Sequence, residues 1–256
     1  MSVHGRRFGV MLLVVLAGVV PAAPALAAKA SPVVQAAADA CFGKTRADWA
    51  ALVKACTTMI GTKIRPELKA AAHFNRGAAY LKLGQDAKAG PDFNAALAIM
   101  PDFARALEAR GGLLFTQGKM DAALKDLDRA IALDPKSAVA FNNRGLVRLR
   151  QGNNAGAIAD FDQSIALDGK DPSAFAARGG AHAALGAKEK ALADFERALA
   201  LDSKHVVALV NRGVLLAATD EKARARADFE AALAVDPQNA EARRQLAALS
   251  SGGEAK

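Results

Sequence analysis

A chain of 256 residues with 52% hydrophobic but only 5% aromatic residues takes much of its apolar content from Ala, which favours closely packed helices. Its formal charge is +8, yet acids and bases alternate along the chain instead of forming blocks. That pattern reads as solvated helix faces and argues against a nucleic-acid-binding stripe.

The chain opens with a charged pair, Arg6 and Arg7, an apolar run from Phe8 to Val20, and small residues ending in Ala25-Leu26-Ala27. This is the pattern of a secretory signal peptide over residues 1–27, and it predicts a periplasmic or secreted protein. The apolar run is short for a bilayer span, so a retained anchor is the weaker alternative. Removing Arg6 and Arg7 with the signal lowers the formal charge from +8 to +6.

Residues 28–66 follow as a helical pair. Val33 to Cys41 is Ala-rich, and Trp49, Leu52, Val53, Cys56, Met59 and Ile60 recur at helical spacing. Export would place Cys41 and Cys56, the only cysteines, in an oxidising compartment, where an even count favours a disulfide. The alternative is two buried, unpaired thiols packed as small apolar residues. With Cys56 in the place that Phe93 holds one unit later, the pair reads as a degenerate end repeat.

Residues 67–239 carry five copies of one frame. Arg76-Gly77, Arg110-Gly111, Arg144-Gly145, Arg178-Gly179 and Arg212-Gly213 stand 34 residues apart at every step. A strict period of this size marks a solenoid, whose units bury their apolar faces by stacking on neighbours. Each copy reads as helix, turn, helix, so the fold class is all-α. Gly84, Gly118, Gly152 and Gly186 stand where a helix ends on a residue of positive φ. The fifth copy has Asp220 there and is expected to build its turn differently. Gly90-Pro91 falls inside a second helix, which is expected to start late or bend. Ser137, Asp171 and Asn239 are placed to N-cap the helices that follow them. Residues 240–250 have a first-helix pattern that caps the open end, and 251–256 form a small, polar, disordered tail.

The recurring residues divide into roles. The Gly of each Arg-Gly pair, with Ala89, Ala123, Ala157, Ala191 and Ala225, lets the two helices of a hairpin approach. Phe93, Leu127, Phe161, Phe195 and Phe229, with Leu97, Ile131, Ile165, Leu199 and Leu233, are expected to fill the space between one hairpin and the next. In every copy an Arg lies eight residues before the turn centre and an Asp eight after it. The pairs are Arg76 and Asp92, Arg110 and Asp126, Arg144 and Asp160, Arg178 and Asp194, and Arg212 and Asp228. Equal distance from the turn of an antiparallel hairpin means equal height, which predicts a ladder of ion pairs. If exposed, each would contribute only about 0–1 kcal/mol. His73, His182 and His205 lie in different repeats with no Cys or His at ligand spacing, so they read as packing or surface residues. No catalytic, metal or cofactor constellation is present in the sequence.

The frame resembles the tetratricopeptide repeat (TPR) family: a small Gly at the eighth position, Ala at the twentieth, Phe or Leu at the twenty-fourth, and Pro near the thirty-second. The resemblance covers residues 67–250, and with its N-terminal helical pair and two cysteines the chain looks like exported bacterial TPR proteins. It implies a right-handed superhelix whose first helices line a concave groove for an extended peptide or partner helix. On the family's pattern the groove residues include Phe74 and Asn75 in the first repeat, and Arg105, Glu108 and Phe115 in the second. Asn142, Asn143, Leu146 and Arg150 follow in the third, and Asn211 in the fifth. Asn75, Asn143 and Asn211 recur at one position, where an amide either contacts a bound backbone or is bonded within the protein. The carboxylate clamp of chaperone-binding TPR domains needs Lys and Asn where this chain has Phe74 and Ala78, so that device is not expected. The resemblance implies a non-catalytic scaffold for a protein or peptide partner, without cofactor, metal or nucleic acid. The alternatives are a chaperone-like envelope assembly factor and a basic protein that contacts an anionic membrane surface.

Overall fold

The computed structural model describes residues 31–43 and 48–251, so the expected signal peptide and most of the polar tail lie outside the described residues. Among those residues there are thirteen α-helices and no strands. No helix is long and apolar enough to cross a membrane. The chain divides into two compact units at Asn143 and Arg144.

In the first unit, α1 (Pro32–Phe42) and α2 (Trp49–Gly61) pair, α2 packs on α3 (Pro66–Lys82), and α3 pairs with α4 (Asp86–Ile99). Then come α5 (Ala104–Thr116), α6 (Met120–Leu133) and the start of α7 (Ala138–Arg150). Two cores fill this unit. One joins α1, α2 and α3 through Leu52, Cys56, Met59 and Ala72. The other joins α3 to α7 through Phe74, Phe93, Leu97, Leu107 and Ala140. The second unit holds the rest of α7, α8 (Asn154–Leu167), α9 (Pro172–Ala184), α10 (Lys188–Leu201), α11 (Val206–Ala218), α12 (Lys222–Val235) and α13 (Ala240–Ser251). Each helix from α8 onward packs on the next.

The second helices begin at Asp86, Met120, Asn154, Lys188 and Lys222, 34 residues apart in every case. Of the two outcomes expected for the helix holding Pro91, a late start or a bend, the late start does not occur: α4 begins at Asp86 and carries Pro91 in its interior. Packing of Ala89, Phe93, Ala96 and Leu97 against α3 and α5 imposes the helix that local propensity opposes. Pro91 donates no hydrogen bond to Ala87, and its ring crowds that carbonyl. Later repeats have Ala159, Ala193 and Ala227 at the same position. A methyl built on Gly90 would meet Leu113 at an ordinary 3.6 Å. Replacing Gly90 and Pro91 together by Ala is expected to stabilise the protein by about 1–3 kcal/mol, read as a higher urea midpoint.

The turns bring a second correction. Gly84, Gly118, Gly152 and Gly186 have φ between 67° and 80°, and Asp220 adopts the same left-handed conformation with φ 64°. The fifth turn is thus built like the others, with an L-residue carrying the strain that Gly avoids. The N–H of Glu221 donates to Leu216 O at 3.0 Å, just as that of Ala187 donates to His182 O at 2.9 Å. This bond pins the backbone whichever residue occupies the turn. Asp220→Gly is expected to raise stability by about 0.5–1 kcal/mol in the same urea assay.

The large residues serve both their own hairpin and the next. A Cβ added to Gly145 would lie 2.6 Å from the Phe161 ring, and the equivalent distances at Gly77, Gly179 and Gly213 to their Phe rings are 2.8, 2.7 and 2.7 Å. Each ring lies across the glycine of its own hairpin and also fills the space toward the next one, as expected: Phe93 shares a core with Leu107 of α5, Phe161 with Ala181 of α9, and Phe195 with Leu215 of α11. Residues one turn further on add to the contact between hairpins: Leu97 packs with Leu107 of α5, and Leu199 with Ala208 of α11.

Candidate functional site

The Arg and Asp residues of the frame meet within each hairpin in a two-pronged ion pair. Arg76 Nε and Nη2 donate to the Asp92 carboxylate at 2.8 and 2.7 Å, and Arg110 to Asp126 at 2.6 and 2.8 Å. Arg144 donates to Asp160 at 3.0 and 2.7 Å, Arg178 to Asp194 at 2.9 and 2.7 Å, and Arg212 to Asp228 at 2.9 and 2.7 Å. All five carboxylates are buried. The estimate appropriate to exposed pairs therefore does not apply, because losing the cation would strand a buried charge. The remaining guanidinium nitrogen reaches back to the preceding hairpin: Arg76 to Thr57, Arg110 to Asn94 and Arg178 to Asp162. Hydrogen bonding to Asp194 raises the pKa of Arg178 above its usual value despite partial burial. Two of the histidines join the same network. His73 Nδ1 lies 2.9 Å from Asp92, and His182 Nε2 lies 3.9 Å from Asp194.

Cys41 and Cys56 form a disulfide between α1 and α2, with Cα atoms 4.9 Å apart and both side chains fully buried. Asn75 donates its side-chain amide to Cys41 O at 3.0 Å and so ties the first repeat to this end pair. That removes Asn75 from the binding face, because its amide is spent on the backbone of α1 and the residue is buried. Phe74 is also displaced from the groove. It is 2% exposed, with its ring centroid 6.1 Å from that of Phe93 and 5.1 Å from that of Phe103. An aromatic side chain at this face position gains more from the core than from water. Phe115 is likewise buried, and Leu146 packs against the cluster of Ala157, Phe161 and Ala181.

What remains on the face of the first unit is a polar cluster. Arg105 lies over the Phe74 ring, 5.0 Å from its centroid, and burial lowers its pKa. One turn along α5, Glu108 accepts a hydrogen bond from Ser137 Oγ at 2.5 Å, while desolvation raises its pKa. Ser137 also N-caps α7 by accepting from Ala140 N–H at 3.1 Å, so the carboxyl is fixed to the start of the next first helix. Asn142 stands one repeat on from Glu108, is buried, and has a side-chain oxygen with no hydrogen-bond partner. Its neighbour Asn143 is buried too. In the second unit, Arg150 is exposed and Asn211 is half-buried, with its amide nitrogen 4.0 Å from the place a Gly180 Cβ would occupy. Among the described residues, no group of three His, Cys, Asp or Glu could hold a metal ion.

One structural role escaped the sequence reading. His205 is the N-cap of α11, accepting from Ala208 N–H at 3.2 Å through Nδ1. It stands 34 residues after Asp171 and 34 before Asn239, so the capping frame itself carried the signal.

Helix pairs repeated at 34 residues, a glycine under each packed ring and an ion pair at the same height in each hairpin define a tandem helical-repeat protein. The chain belongs to the tetratricopeptide repeat family, whose models match residues 70–103, 111–179, 172–205 and 206–239. It is similar in fold to the crystal structure of MamA, with 24% identity, a TM-score of 0.52, and coverage of 61% of this chain and 90% of that one. A tetratricopeptide repeat protein from Parabacteroides merdae is similar at 18% identity and a TM-score of 0.60, covering 86% of this chain and 100% of that one. YrrB, described as a TPR protein with an unusual peptide-binding site, is 19% identical with a TM-score of 0.55, covering 75% of this chain and 97% of that one. No curated protein matches the chain.

Proposed function

We propose that the protein is an exported, non-catalytic scaffold that binds an extended peptide or protein segment along its first helices, beside Arg105, Glu108 and Asn142. The observation that carries this reading is the Asn142 oxygen, a buried acceptor without a donor. Leaving such a group unsatisfied costs about 1–3 kcal/mol, which is recovered if the Asn142 side chain turns outward to accept an N–H from a bound chain. Arg105, over the Phe74 ring, and Glu108, held by Ser137, stand on the same first-helix face one repeat earlier. The peptide-binding site of YrrB, on a similar fold, supports the class of ligand. Export rests on the pattern of residues 1–27, and the Cys41–Cys56 disulfide suits an oxidising compartment.

The test selects binders from a displayed library of extended peptides and measures their affinity by fluorescence anisotropy. Asn142→Ala, which installs the residue found one repeat later at Ala176, is expected to weaken binding about tenfold without lowering the melting temperature. Unchanged affinity in both Asn142→Ala and Glu108→Gln would overturn the assignment of this face. Fractionation tests export, and recovery of the uncleaved chain in the cytoplasm alone would refute it.

A further inference from the structure

Four first helices have their N-caps at one position of the frame: Ser137, Asp171, His205 and Asn239. Three of these caps are hydroxyl, carboxylate or amide oxygens, which accept from Ala140, Ser173 and Ala242 N–H at 3.1, 2.9 and 3.0 Å. The fourth acceptor is an imidazole nitrogen, and unlike the others it stops accepting when protonated near neutral pH. His205 Nδ1 accepts from Ala208 N–H at 3.2 Å, which requires the tautomer with its proton on Nε2. That Nε2 lies 3.5 Å from Ser173 Oγ on α9, a helix on which α11 packs.

The capped amide occupies a sensitive place. Ala208 is fully buried and packs with Phe175, Ala176, Ala198 and Leu199 of the preceding hairpin. Without its cap, the Ala208 N–H would be a donor buried at the seam between the fourth and fifth repeats. A protonated ring would also put positive charge at the N-terminal end of α11, where the helix dipole opposes it.

We propose that His205 makes the seam between the fourth and fifth repeats a pH-sensitive joint, seated while the imidazole is neutral and loosened when it is protonated. Burial favours the neutral ring and lowers its pKa below 6.5, outweighing the opposing pull of the Asp202 and Asp171 carboxylates. Asp202 caps α10 and Asp171 caps α9. Because the folded pKa lies below the unfolded one, the stabilising contribution is complete above about pH 6.5 and is lost as pH falls through the folded pKa. Acidification therefore loosens the first turn of α11.

The experiment is amide hydrogen exchange on the full chain between pH 7.5 and 5, corrected for the intrinsic rate at each pH. In the wild type the protection of Ala208 is expected to fall about fivefold on acidification, the loss of one cap. Ala242, capped by Asn239, should not change. His205→Asn keeps a capping side chain that does not titrate and should hold Ala208 protection constant, whereas His205→Ala should be low at every pH. Wild-type protection that does not change with pH, or a pH dependence that persists in His205→Asn, would overturn the proposal.

Discussion

Replacing Arg178 by Ala is expected to destabilise the protein by about 3–5 kcal/mol, the usual cost of stranding one partner of a buried ion pair. Both prongs to Asp194 are lost at once, and Asp194 keeps only 8% of its side-chain surface in water. The His182 imidazole lies 3.9 Å from that carboxylate, too far to replace either hydrogen bond. The link to Asp162 contributes little to the total, because Asp162 is 52% exposed and water can replace the guanidinium. The third repeat supplies the control. Asp160 also accepts from Arg148 Nη1 at 2.8 Å, so Arg144→Ala leaves its carboxylate paired and should cost clearly less. Urea denaturation followed by circular dichroism measures both variants. An Arg178→Ala loss below about 1 kcal/mol would show that the pair is solvated and carries no structural weight. Removing both partners, in Arg178→Met with Asp194→Leu, should cost less than Arg178→Ala alone, since no charge is left buried.

Loss of the disulfide is the second large effect. Bridging Cys41 and Cys56, 15 residues apart, removes chain entropy from the unfolded state worth about 3 kcal/mol. The α1–α2 pair needs that contribution more than an internal hairpin would, because its described packing partner is α3 alone. Replacing both cysteines by Ala should therefore release this pair while α5 and α6 stay folded. Limited trypsin digestion tests the expectation: Lys54, exposed on α2, should be cut readily in the variant and slowly in the wild type. Equal cleavage rates would mean that packing of Leu52, Met59 and Ala72 holds the pair without the bridge.

The helix pairs and their turns were legible because they depend on local spacing. The 34-residue step set where second helices begin, even at α4, where packing overrides Pro91. The Arg–Asp register was legible for the same reason, since height along an antiparallel hairpin is a matter of counting from the turn. The burial of those carboxylates was not, nor was the reach of Arg76, Arg110 and Arg178 into the preceding hairpin. Asp220 was misjudged because its conformation comes from the turn around it and not from its own preference.

Within the candidate site the difference is sharpest at one frame position, occupied in turn by Phe74, Glu108, Asn142, Ala176 and Val210. Periodicity assigns all five to the first-helix face and says nothing of their surroundings. Phe74 is taken into the core by Phe93 and Phe103, Glu108 is held by Ser137, and Asn142 is left with an unpartnered oxygen. The sequence by itself determined the repeat, the helix ends and the residues that hold each hairpin in register, because these follow from interactions between near neighbours along the chain. Only the tertiary structure decided which face residues remain for a partner, because burial at any one of them depends on the size and polarity of side chains brought alongside from other helices.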